Sequence, residues 1–279
     1  MSRVSIETVT MPELAGFWSV LSATAGRYTQ RQAAYAIELV RWPLFPTLYF
    51  LVLYLTYSVS GRSVIAGYPL AGFLVIGVAG IVLWTSNLWA SGYAIEFERR
   101  EGTLQSLFLS PASRSAVVLG YGAGSMLVMV LPTVAVLVAI ALMLQISLSV
   151  ASVPAVALSI GGLLLASISS GYALAGFFVL TRRANVIANF LQAPVYLLSG
   201  AVLPVQELPG ILQFFARIFP LSHGMDAVRA SLLGGATIAE VQSSLVGIGL
   251  SSALLIALGA ALLRMVERNA RNGAELDFE

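Results

Sequence analysis

Six apolar runs divide the chain, at 44–60, 69–95, 116–145, 152–180, 186–203 and 242–263, with polar stretches between them. A helix needs roughly 20 residues to cross the hydrocarbon core of a bilayer, so the pattern predicts six transmembrane helices, the longer runs tilting or extending past the core. None of the six holds Asp, Glu, Lys, Arg or His. Ahead of the first run, Thr10 and Glu13 have capping-box spacing with Pro12 in the first turn. Leu14, Phe17, Trp18, Leu21, Ala25 and Tyr28 then share one helical face, while Arg27, Gln30 and Arg31 lie off it. This reads as an amphipathic helix lying in the headgroup boundary or packed on the protein's own cytoplasmic side. Residues 1–43 are thus expected as an N-terminal interfacial element and 44–279 as the transmembrane domain; no cleaved signal peptide is expected.

Two segments break the alternation. Glu96 to Arg114 holds three glutamates and three arginines, and Leu104, Leu107 and Phe108 fall at i, i+3, i+4 before Ser110-Pro111 ends the run. A charged turn followed by a short amphipathic helix is expected there. The second segment leads on from the fifth run, where residues 198–235 are too apolar for a free loop and too interrupted by Pro204, Pro209 and Pro220 for one helix. Two short helices dipping back into the outer leaflet are expected, their broken backbone covered by protein.

Composition fixes the class. Of 279 residues 58% are hydrophobic and 10% charged, and the mean hydropathy is +0.88, as in an integral membrane protein. Cysteine is absent, which excludes disulfides and thiol chemistry, and the single histidine, His223, excludes a histidine metal cluster, so no metal site is expected. All fifteen basic residues are arginine. Without lysine, and without a G-x-x-x-x-G-K-[ST] motif, the chain carries no P-loop ATPase. Twelve arginines flank the runs on one side and three on the other. The positive-inside rule therefore puts both termini and the Glu96–Arg114 loop in the cytoplasm of a multi-pass protein of the inner (plasma) membrane. Gly120, Gly122 and Gly124 in the third run, and Ala257, Ala260 and Ala261 in the sixth, mark close helix contacts. Tyr49, Tyr54, Tyr57, Trp84 and Trp89 are candidates for lining a substrate path, with an aromatic belt as the other reading.

The stretch EFERREGTLQSLFLSPASR resembles the signature of the ABC-2-type permeases, the membrane subunits of ATP-binding-cassette exporters: Glu98, Glu101, Gly102, Thr103, Leu104, Pro111 and Arg114 match in register. A second match lies before the last run, at Ser199, Gly200, Pro204, Leu208, Pro209, Pro220, Leu221, Asp226 and Arg229. The resemblance implies an all-α integral membrane protein: six transmembrane helices with an N-terminal amphipathic interfacial helix, a cytoplasmic coupling helix and outer re-entrant short helices before the last span. It implies an exporter half moving a hydrophobic or lipid-linked substrate (drug, lipid, glycolipid or polysaccharide) by alternating access, paired with a second copy or homologue. A cytoplasmic ATPase subunit would hold ATP and magnesium, so this chain has no cofactor and no catalytic residue of its own. Coupling would fall to Glu96, Glu98, Arg99, Arg100, Glu101, Gly102, Thr103, Leu104, Leu107 and Phe108. The outer re-entrant segment would rest on Gly200, Pro204, Pro209, Pro220, Asp226 and Arg229. The rival readings are an ion-coupled carrier, opposed by the lack of ionisable groups in the runs, an intramembrane serine protease, opposed by the place of His223 among outer prolines, and a non-transporting scaffold.

Overall fold

A computed structural model of the protein describes residues 16–34, 36–103, 113–181 and 183–271. Among them the regular structure is helical apart from one small hairpin. Helix α1 (Phe17–Ala33) leads into α2 (Ala36–Val59), which carries Pro43 and Pro46 within it. The hairpin, β1 (Val64–Ile65) and β2 (Tyr68–Pro69), pairs Val64 with Pro69 and Ile65 with Tyr68. Its two-residue loop puts Ala66 and Gly67 at positive φ, 50° and 81°, which is the loop geometry that follows the twist of a tight hairpin. Helix α3 (Leu70–Asn87) runs back and passes through a π-helical turn, Leu88–Gly92, into α4 (Ala94–Arg100). Next come α5 (Arg114–Ser125), a second π-helical turn at Met126–Val130, and α6 (Leu131–Met143). Helices α7 (Val153–Val179) and α8 (Ala184–Leu198) follow. The segment before the last helix holds a 3-10 turn (Val205–Glu207), α9 (Gly210–Ile218) and α10 (Pro220–Leu232); α11 (Ile238–Arg271) ends the bundle.

Local chemistry explains several of these starts. The Ser113 side chain accepts from Ala116 N and opens α5, and Ser152 accepts from Ala155 N and opens α7, where Pro154 sits in the first turn. Five helical segments among the described residues are long and apolar enough to cross a membrane: Val40–Val59, Leu70–Gly92, Arg114–Met143, Val153–Val179 and Ile238–Val266. The remaining apolar run forms the 15-residue α8, about 22 Å long at 1.5 Å per residue, and then turns at Ser199–Gly200.

Helix α3 is the axis of the bundle. Phe73, Leu74, Val78, Leu83 and Trp84 are buried on it, whereas Leu44, Phe45, Leu48 and Val52 of α2 and Leu250, Leu254 and Leu258 of α11 face outward. Apolar burial does not drive helices together inside lipid, so close backbone approach has to do so. The glycines of the third span serve that purpose. A Cβ at Gly120 would press on Thr24 and the Leu21 carbonyl, and one at Gly124 on Tyr28 and the Ala25 carbonyl, so α1 lies directly on α5. Of the two placements open to α1, the described residues support packing on the protein; Thr10 to Leu14 lie outside them. The last span corrects the sequence reading. Ala260 packs on the cluster with Tyr172 and Leu263, but Ala257 and Ala261 are exposed, and the tightest contact is made by Gly259, whose Cβ would meet Tyr172 and Ala173 of α7, with Gly176 on the facing side. A small side chain marks a contact only on the buried face, and α7 fixes that face.

The elements alternate between two ends. Tyr172, Val118, Ala94, Ile95 and Leu263 cluster at one end, which puts α1, α4, the start of α5 and the end of α11 together. At the other end Arg62 pairs with Glu207 at 3.1 Å, and Ser149 N donates to Leu232 O.

Candidate functional site

The charged turn is a helix stop built from its own side chains. Gly102, at φ 72°, ends α4; its N–H bonds to Arg99 O and that of Thr103 to Glu98 O, the paired bonds of a Schellman cap. The Thr103 hydroxyl bonds back to Glu98, both to its carbonyl and to its carboxylate. Glu96 holds Arg99 at 2.9 Å and Arg100 at 3.2 Å. Tyr121 of α5 donates to Glu98 Oε1 at 2.8 Å. On the other flank Arg31 of α1 pairs with Glu101 at 3.2 Å and stacks over Phe97 at 4.2 Å. Both partners of that pair are half exposed, and such pairs contribute about 0–1 kcal/mol. The cap and the Tyr121 bond therefore hold the turn, while Arg31 braces it against α1. Leu104, Leu107, Phe108 and Pro111 lie outside the described residues.

The second motif closes around Arg229. Its guanidinium is buried and donates to Gly200 O at 2.8 Å, Ala201 O at 3.2 Å and Phe73 O at 3.2 Å, lying 3.6 Å over the Phe73 ring. A cation in the interior is tolerated only with such partners. Gly200, at φ 72°, supplies a turn that only glycine makes without strain. A Cβ at Gly77 would collide with the Ala201 carbonyl. Gly77, Gly200 and Arg229 thus form one interlocked unit that pins the turn after α8 to α3. Beside it, Asp226, Pro204, Glu207 and Tyr68 line a cavity of about 490 Å³, in which burial first and the Asp226 carboxylate second push the Tyr68 phenol up. Pro209 and Pro220 precede or start α9 and α10, the two short helices expected there. Phe214 and Phe215 are exposed on α9, and Phe219 packs on the core. His223 bonds the Arg217 carbonyl and rests on Gly247, a structural place.

Two polar features were missed by the sequence reading. Asn87 donates to Leu83 O and to Ser167 Oγ, both at 3.0 Å, while Ser91 reaches Val118 O at 3.1 Å, so spans two, three and four are tied where the π-helical turn Leu88–Gly92 begins. The signal was a lone Asn in an apolar run. The other is a lateral pocket of about 290 Å³ between α2, α3, the second π-helical turn and α8. Thr85 and Tyr196 share a hydrogen bond of 2.9 Å on its wall, and Tyr196 donates to Gln192 at 3.1 Å; Arg41, Trp42 and Phe45 form the facing side. Gln192 and Tyr196, four apart, were legible as one helical face.

Of the five aromatic candidates, Tyr49 lines this pocket. Trp84 is fully buried with its edge on Tyr196, and Trp89 packs on Tyr93. Tyr54 stacks on Phe50, and Tyr57 donates to Val202 O at 3.1 Å.

A family model described as "ABC-2 type transporter" matches residues 18–233. Nodulation protein J of Rhizobium leguminosarum bv. trifolii is 27% identical over 180 residues, 61% of this chain and 64% of the relative. Nodulation protein J of Bradyrhizobium diazoefficiens is 27% identical over 183 residues, 63% of this chain and 64% of the relative. That of Rhizobium meliloti (strain 1021) is 51% identical over 41 residues, 15% of this chain and 16% of the relative. The matched stretches thus span less than two thirds of these relatives' own length.

Proposed function

The chain belongs to the ABC-2 type transporter family, and from that membership we propose that it is one membrane half of an ATP-driven exporter. Its substrate is hydrophobic or lipid-linked, and it leaves the cytoplasm by alternating access. Two copies, or this chain and a homologue, enclose the path, and each docks a cytoplasmic ATPase subunit that holds ATP and magnesium. In this reading α8 and the turn at 199–203 make the fifth of six spans, α9 and α10 are the outer re-entrant helices, and the lateral pocket with Tyr49 is where substrate enters from the bilayer. The observation that carries it is the capped turn Glu96–Thr103, held by Tyr121 and braced on α1 at the end of the bundle where α11 also finishes. Closure of the ATPases would press on this turn and move α1 and α3 together.

The test is uptake of labelled candidate amphiphiles into inverted vesicles carrying this chain and a candidate partner ATPase from the same cell. ATP-dependent uptake supports the exporter reading; uptake driven by an ion gradient without ATP supports a carrier, and no uptake supports a scaffold. Orientation has its own check, made clean by the absence of native cysteine. An Arg100→Cys variant in intact cells should resist an impermeant thiol reagent while Arg62→Cys reacts, because the arginine balance puts residue 100 inside. Labelling at 100 from outside would invert the topology.

A further inference from the structure

We infer that α8 is a splint across the π-helical turn Leu88–Gly92, bonded to span two before that turn through Thr85 and after it through Tyr93. The capped turn, span two and span five then move as one body. The inference deepens the exporter reading, which supplies its use, but the two bonds are argued from their own chemistry.

A polar stripe runs along α8. Asn185, Asn189, Gln192 and Tyr196 fall at i, i+4, i+7 and i+11, on one helical face. Each bonds the next: Asn189 donates to Asn185 Oδ1 at 3.0 Å, Gln192 to Asn189 Oδ1 at 3.3 Å, and Tyr196 to Gln192 Oε1 at 3.1 Å. Both ends of the stripe reach span two. Tyr196 gives its one proton to Gln192, so Thr85 is the donor in the 2.9 Å bond to Tyr196. At the other end the Tyr93 hydroxyl donates to Asn185 Oδ1 at 3.4 Å, while the Tyr93 ring sits edge-on to Phe178 of α7 with centroids 5.4 Å apart. Asn189 and Gln192 therefore orient the two residues that make the ties. The Tyr196–Gln192 bond also spans Pro194, where the backbone of α8 lacks a donor.

Thr85 precedes the π-helical turn and Tyr93 follows it. A turn of this kind is where a helix bends, so a push arriving through α4 would be absorbed there. A straight element tied on both sides prevents that. Close backbone contact does not do the work: none of the close approaches made at glycines in the described residues involves α8, on which only Ala184, Ala188 and Val195 are buried. Inside lipid, where apolar burial does not drive helices together, side-chain hydrogen bonds have to hold such a helix in place. Asn185 and Asn189 are exposed, so the stripe also meets their hydrogen-bonding demand at the surface of the span.

The test uses the full chain in lipid nanodiscs, without ATP or ATPase, spin-labelled through Arg100→Cys and Phe190→Cys. The absence of native cysteine leaves that pair as the only labels. Tyr93→Phe keeps the ring and removes the hydroxyl; Thr85→Val keeps the shape and removes the donor. Each should widen the distribution of distances between the labels to the same extent, and the double variant should widen it no further, because a splint freed at either end holds nothing. Two contacts acting independently would add instead. A distribution as narrow as the parent's in either single variant, or a double variant wider than both, overturns the splint. With the ATPase present, uptake per ATP hydrolysed should fall equally in all three variants, and an unchanged ratio overturns the claim that the tied body transmits the push. Absence of uptake by the parent would sink the exporter reading and leave the distance result standing.

Discussion

Arg229→Met should remove the folded protein from the membrane before any question of transport arises. Methionine matches the length of the stem but leaves the Gly200, Ala201 and Phe73 carbonyls, now bonded at 2.8, 3.2 and 3.2 Å, without that donor in a buried site. Each buried acceptor left without its donor costs about 1–3 kcal/mol, so losing the set takes a large share of the roughly 5–15 kcal/mol that holds a typical domain together. Lysine should not rescue it, since one ammonium does not reproduce a planar fork spread over carbonyls of two segments. Gly77→Ala attacks the same unit from the other side, because its methyl would occupy the place of the Ala201 carbonyl oxygen. Gly161→Ala is the control: it lies on α7 with open space at its Cβ, and exchanging glycine for alanine in a helix stabilises by roughly 0.5–1 kcal/mol. Thermal melts followed by size-exclusion chromatography should show loss for the first two and none for the third. A monodisperse Arg229→Met variant with wild-type melting would show that the turn after α8 is held by something else.

That unit also shows where sequence was sufficient and where it was not. The apolar runs placed the five long spans and the prolines placed α9 and α10, because run length and broken helices are local properties. The pairing of Gly200 with Arg229 and Gly77 was not legible, although Gly200 and Arg229 were both named, because three distant segments meet there. The same holds for Tyr121, whose hydroxyl reaches Glu98, 23 positions away in sequence. Ala257 and Ala261 failed as contact markers for the opposite reason: the spacing was right, but only packing against α7 decides which face of α11 is buried. The hairpin at 64–69 went unread because two-residue strands are too short to carry a period. For the site, Tyr49 was found by residue type, as one of five aromatic candidates, of which it alone lines the lateral pocket.

Reversing Glu98 and Glu101 to arginine together should uncouple the protein while leaving it assembled in the membrane. The turn is already rich in arginine, with Arg99 and Arg100 between the two glutamates and Arg31 opposite Glu101. Both changes therefore place like charges side by side and against any basic surface a docking partner presents, and such juxtapositions cost several kcal/mol. ATP-driven transport should fall by about tenfold or more, a loss of at least about 1.4 kcal/mol in coupling. The internal cost has to be separated from the docking cost. Tyr121→Phe removes the hydrogen bond to Glu98 without altering charge, which should cost about 1 kcal/mol of stability and only a small part of transport. Gly102→Leu forces a side chain into the left-handed region at φ 72°, at about 1–2 kcal/mol, and should misdirect the segment that follows. Phe108→Ala tests that segment directly: a buried interface aromatic commonly carries 2 kcal/mol or more of binding energy, about thirtyfold in affinity, so the ATPase should co-purify poorly. The readouts are co-purification of the ATPase, its ATP turnover in membranes, and ATP-driven uptake into inverted vesicles. If the double reversal and Phe108→Ala both leave all three at wild-type levels, the turn that Gly102 and Thr103 cap is a structural stop for α4, and the force from ATP enters the bundle elsewhere.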